Sequence, residues 1–458
     1  MKYKIRVLIF TLLLVLILSS CKSSNPLDPK KPVTLTIWHN YGGQMKNLMD
    51  EMIDEFNRTI GADKGIIASV TSISGSKTLH DKLISAANDD PGAPELPDIS
   101  VVYPKTAIVL AEKELISDMS EQFDEKELSA YVPQFLQEGT LHGRLFVFPV
   151  AKSTEAMFVN KTIFDRFSAG TGASYDDIRT FEGIIQTSDK YYEWTDSRTP
   201  DVPNDGKSFY MPDSVFNTAL IGMAQLGENF IESNELNTSS ETYKKIWNSY
   251  FPPAVKGSVA IFDGYSTDLF KTGDLVCSIG STAGVLFYPD TVTYTDNIKE
   301  NAEYAILPYP VFEGGKRVAL QRGGGMCIIK STVQKETAAA IFLKWFTSPE
   351  KNLYFTASSG YLPVTKEAFE STINNHQLEN IENVNIINLF KTVTSMYEEY
   401  DFFIPPLVEN YDELQDEYEK SIKKIAKDCK AEFYASTSSD KNTTIEEVST
   451  NALKNFIE

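Results

Sequence analysis

The chain has 458 residues, is 42% hydrophobic and 12% aromatic, and carries a formal net charge of −20. Such an acidic balance argues against a binder of nucleic acid or of anionic membranes, since both need a basic face. The length is more than one compact core supports, so it predicts two lobes of roughly 150–250 residues each.

The N-terminus, MKYKIRVLIFTLLLVLILSSC, sets Lys2, Lys4 and Arg6 before an apolar run from Val7 to Leu18 broken only by Thr11. That run is shorter than the roughly 20 apolar residues of a membrane span. It ends in Leu18-Ser19-Ser20-Cys21, which is similar to a bacterial lipobox, where the cysteine is lipidated and becomes residue one. Residues 1–20 are therefore expected to be a lipoprotein signal peptide, and 21–32 (CKSSNPLDPKKP) a polar, Pro-rich tether. The alternative is an ordinary signal peptide with an incidental cysteine. Loss of the three leader cations leaves a net charge near −23.

Beyond the tether, TLTIWHNYGG reads as a strand ending in Trp38, His39, Asn40 and Tyr41, released by two glycines. A helix follows, because Met45, Leu48, Met49, Met52, Ile53 and Phe56 form one apolar stripe. Then come a strand over Ile66–Ile73, a helix over Thr78–Asn88, a buried strand in DISVVY and a helix in TAIVLAEKEL. Such alternation predicts a mostly parallel sheet covered by helices. LHGRLFVFPVAKSTEAMFVNKTIF reads as two strands broken at Pro149–Thr154. From about 160 to 300, Tyr191, Tyr192, Trp194, Phe209 and Tyr210 among Pro, Asn, Asp and Gly suggest long loops, with helices near 213–226 and 240–250. Strands are expected in DLVCSIG, YAILPYP and GGGMCIIK, and a helix in KETAAAIFLKWF. Ser348-Pro349-Glu350 restarts a helix, with Ser as N-cap and Pro at its first position. Two acidic helices finish the chain: one over 409–433, and one starting at Thr444 with Glu447 completing a capping box.

Catalytic signatures are sparse. The sequence has no GxSxG elbow, HExxH pair or GxGxxG turn. Gly206-Lys207-Ser208 ends like a phosphate loop, but Asp201 stands where its first glycine belongs. The four histidines, His39, His80, His142 and His376, are too scattered for a metal cluster, and no metal or cofactor is called for. After Cys21, the cysteines Cys277, Cys327 and Cys429 contain no CxxC. Cys277 and Cys327 read as buried thiols, a pairing between them being the alternative. A pair of carboxylates can hydrolyse glycosides, and 63 acids leave that enzymatic reading open.

Five segments together resemble the extracellular solute-binding proteins of carbohydrate ABC importers, the group that includes maltose- and glycerol-phosphate-binding proteins. They are LTIWHNYGGQMKNLMDEMIDEFN, LPDISVVY, GRLFVFPVAKSTEAMFVNKTIF, FKTGDLVCSIGSTAG and AAAIFLKWFTSPEKNLYFTASSGYLPV, and they run in family order from 34 to 364. The resemblance implies a periplasmic-binding-protein-like α/β fold of type II, with two lobes closing by a hinge on a ligand in the cleft between them. It implies an N-terminal lobe over 33–154 plus 305–355 and a C-terminal lobe over 155–304 plus 356–458. The chain would cross between lobes near 153–160, 303–310 and 352–364. The partners implied are a sugar or oligosaccharide, the permease subunits of an ABC importer, and the membrane through lipid on Cys21. The protein would be a monomer, without nucleic acid, on the extracytoplasmic face of the cell membrane, and would carry out no covalent chemistry.

In open α/β sheets ligands bind beyond the carboxyl ends of the strands, which places Trp38, Asn40 and Tyr41 at the cleft, with His39 as their neighbour. Rings stack on the C–H faces of sugars, and amides and hydroxyls hold their edges. Trp38 could instead pack beneath the following helix. By resemblance, Ser153, Thr154 and Glu155 match the cleft-edge "T-E" of the family, with a hinge or interlobe role for Glu155 as the alternative. Ser281 and Thr282 match the "G-S-x-A" turn of the second lobe. Gly324, within Gly323–Gly325, matches a turn that lets ligand approach the backbone, and Tyr361 in SGYLPV is a contact or an anchor. Tyr103 remains a candidate, although Pro104 and Lys105 follow it where glycerol-phosphate binders tend to carry Glu. That departure keeps open a glycerophospho-compound or polyol ester, for which Lys105, Lys152, Arg317 and Arg322 are the candidate cations.

Overall fold

A computed structural model describes residues 26–373, 383–408, 410–436 and 440–457. The expected signal peptide, Cys21 and His376 lie outside the described residues. The strand β1 (Val33–His39) leads into α1 (Gly43–Phe56), whose apolar stripe packs Leu48, Met49, Met52, Ile53 and Phe56 against the first core. β2 (Ile66–Ser72), α2 (Ser76–Ala87), β3 (Ile99–Val102) and α3 (Pro104–Glu112) follow. α4 (Pro133–Glu138) and the short β4 (Phe148–Pro149) complete this part. The chain then crosses to β5 (Glu155–Asn160), α5 (Phe181–Asp196), β6 (Tyr210–Pro212), α6 (Val215–Gln225), β7 (Cys277–Ser281) and β8 (Tyr304–Leu307). It returns through β9 (Val318–Leu320) to β10 (Gly325–Ile328), α7 (Val333–Phe346) and α8 (Pro349–Ala357). α9 (Val384–Glu399), β11 (Asp401–Phe403), α10 (Tyr411–Ala435) and α11 (Lys441–Ile457) end it.

Two sheets define the lobes. The first runs β2-β1-β3-β10-β4, and the second β8-β5-β7-β6. Both are mixed rather than mostly parallel. β1 is parallel to β2 and β3, but β10 is antiparallel to β3 and β4. In the second sheet only β6 and β7 are parallel, while β5 runs against both β7 and β8. The cause is the crossings: a strand entering from the other lobe arrives without the right-handed helical crossover that parallel pairing requires. Ala305–Leu307, expected in the first lobe, pair with β5 in the second. The return crossing therefore comes later than expected, at the Gln321–Gly324 link to β10.

The first crossing is clamped on both sides. Lys152 and Leu362 exchange backbone hydrogen bonds, as do Ser153 and Arg322. Asn352 stitches the same region, donating to the Val150 carbonyl (2.7 Å) and accepting from the Val364 N–H (2.8 Å). This gives the SPEKN and GYLPV stretches a physical role: they fix the crossing strand. Beneath it Lys152 and Glu138 form a buried ion pair at 3.0 Å, and the Lys152 ammonium also donates to the Gly323 carbonyl (3.1 Å).

Other expectations need correction. Tyr191, Tyr192 and Trp194 lie on the helix α5, not in a loop; Thr180 caps it, and Phe181, Ile184, Tyr191 and Tyr192 are buried. Its Gly, Thr and Ser residues have weak helix propensity, and tertiary burial outweighs it. α11 starts at Lys441 rather than Thr444, because Asp440 accepts from the Thr443 N–H. Ser348 stands at the start of α8, but its hydroxyl donates back to the Trp345 carbonyl instead of capping. The chain from Pro26 is not a free tether: Leu27 is buried in the first core, and Asp28 accepts from the Lys31 N–H. An apolar side chain placed beside an uncovered core edge buries there. Cys277 and Cys327 are free and buried, on different sheets.

Candidate functional site

The TLTIWHNYGG run divides at Trp38. Trp38 pairs with Thr71 and Ser100 on either side and is buried in the first core, so it follows the packing reading. His39 is fully buried; its Nδ1 accepts from the Tyr41 N–H (3.2 Å), and its ring stacks on Tyr41 at 5.1 Å. Burial lowers its pKa to about 4, so it is neutral at physiological pH. Asn40 emerges half-buried and donates its amide to the Tyr103 hydroxyl at 3.2 Å. Tyr41 is buried against Phe355, and burial next to Tyr361 and Tyr103 holds its phenol far above its ordinary pKa. Asn40, Tyr41, Tyr103 and Tyr361 thus form one aromatic wall on the first lobe, bonded largely to itself.

The crossing residues serve structure first. The Thr154 hydroxyl donates to the Leu320 carbonyl (2.8 Å), and the Thr282 hydroxyl accepts from the Thr154 N–H (3.2 Å). Ser153, Thr154 and Thr282 are all buried. Glu155 is buried too; its Oε1 accepts from Asn217 Nδ2 (2.7 Å) and Arg322 (3.0 Å). Burial raises the Glu155 pKa, opposed by the Arg322 charge and the Asn217 amide. The glycine run admits protein, not ligand. A Cβ on Gly324 would stand 2.9 Å from the Val102 carbonyl oxygen, and one on Gly325 2.5 Å from that of Phe148. Close approach of neighbouring strands requires these glycines.

A large cavity of about 1870 Å³ opens between the lobes. Met45, Tyr361 and Arg322 line one side, and Asp213, Asn217, Ser281 and Ala283 stand on the second lobe opposite. Of the expected site residues, Ser281 and Tyr361 line this cavity directly. Trp38, Asn40, Tyr41, Tyr103, Ser153, Thr154, Glu155, Thr282 and Gly324 are not among the residues that line it. Three exposed aromatic residues that the sequence reading did not single out also line it: Phe262, Tyr265 and Phe287, at 38%, 77% and 70% exposure, beside the buried Tyr288. Rings left this open belong to no core. The signal of the first two in the sequence was FDGYSTDL, where aromatic residues flank Gly264 with no helical or strand period; Phe287 follows in the STAGVLF turn. Asp213 faces the same space, and its surroundings raise its carboxyl pKa, chiefly by burial and against the pull of Ser266 and Arg322.

The four candidate cations are all engaged. Lys105 pairs with Asp412 across the lobes (3.1 Å), Lys152 with Glu138, Arg322 with Glu155, and Arg317 with Glu399. The site combines exposed rings, a carboxylate, an amide and hydroxyls, which is what holds an uncharged polyhydroxy ligand.

Comparison with known proteins bears on the fold and the family. Among solved structures, the chain superposes on a cyclic alpha-maltosyl-1,6-maltose binding protein from Arthrobacter globiformis with a TM-score of 0.64 at 16% identity, covering 93% of this chain and 100% of that one. UgpB from Mycobacterium tuberculosis, in complex with glycerophosphocholine, gives 0.66 at 16% identity, covering 93% and 100%. The sugar-binding protein MalE from Xanthomonas citri gives 0.65 at 15% identity, covering 92% and 97%. At such identities the likeness establishes the two-lobe fold. A search of curated proteins finds no match by sequence. The family model described as bacterial extracellular solute-binding protein matches residues 51–379, most of the chain. The chain belongs to the bacterial extracellular solute-binding proteins.

Proposed function

We propose that the protein captures a sugar or oligosaccharide in its interlobe cleft and delivers it to an ABC importer without chemical change. The observation that carries this reading is the second-lobe wall, where Phe262, Tyr265 and Phe287 stand open beside Asp213, Asn217 and Ser281. Flat rings bind the apolar faces of a pyranose, and the polar groups bind its hydroxyls. Removal of residues 1–20 and lipidation of Cys21 would hold the protein at the outer face of the membrane. No helix among the described residues is long and apolar enough to span a bilayer. At the cleft centre a phosphate ester is disfavoured, because the four cations expected to receive it already hold carboxylates.

A thermal-shift screen over neutral sugars, oligosaccharides and phosphate esters tests this, since a ligand stabilises the folded state it binds. A shift with a carbohydrate is expected. A shift with phosphate esters alone would overturn the sugar assignment. Asp213 is a cleft carboxyl with a raised pKa, as the acid of a hydrolase would be. Release of shorter sugars during incubation would therefore replace capture with catalysis.

A further inference from the structure

The cavity continues well past this sugar site. Its volume of about 1870 Å³ exceeds the roughly 300–1,000 Å³ of an ordinary small-molecule pocket. One arm of its lining runs along α10 and carries Lys420, Lys423, Lys424, Lys427 and Lys430. Steps of three and four put these on one helix face, and at the helical rise Lys420 to Lys430 covers about 15 Å. In a chain of net charge −20, a stripe of one positive sign is not what composition alone would give.

The carboxylates of the arm neutralise only part of it. Asp416 lies 3.8 Å from Lys420, and Asp263 3.6 Å from Lys423. Asp268 and Asp274 are held by Lys271 and Lys207. Glu419 accepts from the Ser214 hydroxyl and the Phe216 N–H. Among the described residues no carboxylate pairs with Lys424, Lys427 or Lys430. Lys430 also lies over the Tyr434 ring, 5.9 Å from its centroid, and burial lowers its pKa. Phe262 and Tyr265 line the same cavity, so stacking rings and ammonium groups without a carboxylate partner share one continuous space.

We propose that this arm is a subsite for the anionic units of an acidic oligosaccharide, one bearing carboxylates or sulfates, held by Lys424, Lys427 and Lys430 while its rings stack on Phe262 and Tyr265. The proposal rests on the carbohydrate reading above and narrows its substrate class. The cleft centre, with its cations already engaged, takes the polyhydroxy part; the arm takes the charge.

Calorimetric titration of the full chain with maltohexaose, hexagalacturonate and a heparin-derived hexasaccharide tests it, and the last two separate carboxylate from sulfate. At least one acidic probe should bind more tightly than maltohexaose and weaken with added salt. Combined Lys424→Ala, Lys427→Ala and Lys430→Ala should weaken that probe roughly tenfold, as three exposed charge contacts allow. Maltohexaose binding should not change, and the matching three Lys→Arg changes should restore the acidic probe. All three lysines lie on the surface of α10, and an unchanged melting temperature checks that the variants fold. Binding of maltohexaose alone, or an acidic probe indifferent to the triple variant, overturns the subsite and leaves sugar capture standing. Binding of phosphatidylglycerol vesicles through these lysines, with no acidic sugar bound, overturns it in favour of a membrane-facing surface. Failure of every carbohydrate overturns both readings.

Discussion

The two walls of the cleft are built on opposite principles. On the first lobe Asn40, Tyr41, Tyr103 and Tyr361 are buried or half-buried, and Asn40 and Tyr103 satisfy each other (3.2 Å). On the second lobe Phe262, Tyr265 and Phe287 stand open, beside a carboxylate whose pKa is raised. A wall bonded to itself supplies shape at little cost in reordering; an open wall supplies the unsatisfied groups that a ligand completes. Changes on the first wall should therefore appear as stability, and changes on the second as affinity.

The largest effect expected is in the core behind the first wall. Trp38→Ala should lower unfolding free energy by about 3–5 kcal/mol in denaturant titration, as for a large buried ring removed from a core. A Trp38→Ala protein of normal stability but lost sugar binding would erase the distinction between the walls. His39 should come next. With a folded pKa of about 4 and an ordinary value near 6.5, it binds its proton more weakly when folded. Its contribution is intact above about pH 6.5 and is lost as pH falls to about 4, by up to roughly 3 kcal/mol. Midpoints measured across that range should slope downward with acid, and His39→Gln should flatten the slope.

On the second wall, Tyr265→Ala should weaken sugar binding roughly tenfold with melting temperature unchanged, as for a ring that serves a contact rather than a core. Asp213 should add a pH dependence of its own. Ligand hydroxyls donate to its ionised form, so affinity should fall as pH drops through its raised pKa, above the usual value of about 4. Asp213→Asn should remove that dependence in calorimetry. The smallest effect belongs to the ion pair that joins the lobes at the starts of α3 and α10. Lys105 and Asp412 are exposed, and breaking their pair should change stability by no more than about 1 kcal/mol, less at high salt.

The same contrast explains what could be read from the sequence. Elements whose apolar residues follow a clean period, such as α1 and β3, stand where the sequence put them. α5 escaped because its helix is held by burial of Tyr191 and Tyr192 against the lobe, a tertiary effect no local period records. The early return to the first lobe near 305 was misplaced for a similar reason: Tyr304–Leu307 reads as a strand from its residues, but its partner strand is a long-range choice. At the site, motif matching found residues that hold the crossing together, Ser153, Thr154 and Thr282, because a strand crossing constrains sequence strongly. The open rings of the second wall belong to no core, and FDGYSTDL shows no period to mark Phe262 and Tyr265.

The burial of Leu27 sets the length of the leash. With Cys21 lipidated as proposed, only five residue steps separate the membrane anchor from Pro26, a reach of at most about 18 Å. The first lobe would then ride close to the lipid surface, sampling a thin shell rather than the whole periphery of the cell. Confinement of that kind raises the effective concentration of the protein at a permease embedded in the same bilayer, with no need for a tight contact between them. Leu27→Ser, by freeing the segment up to Val33, should lengthen the leash and dilute the encounter.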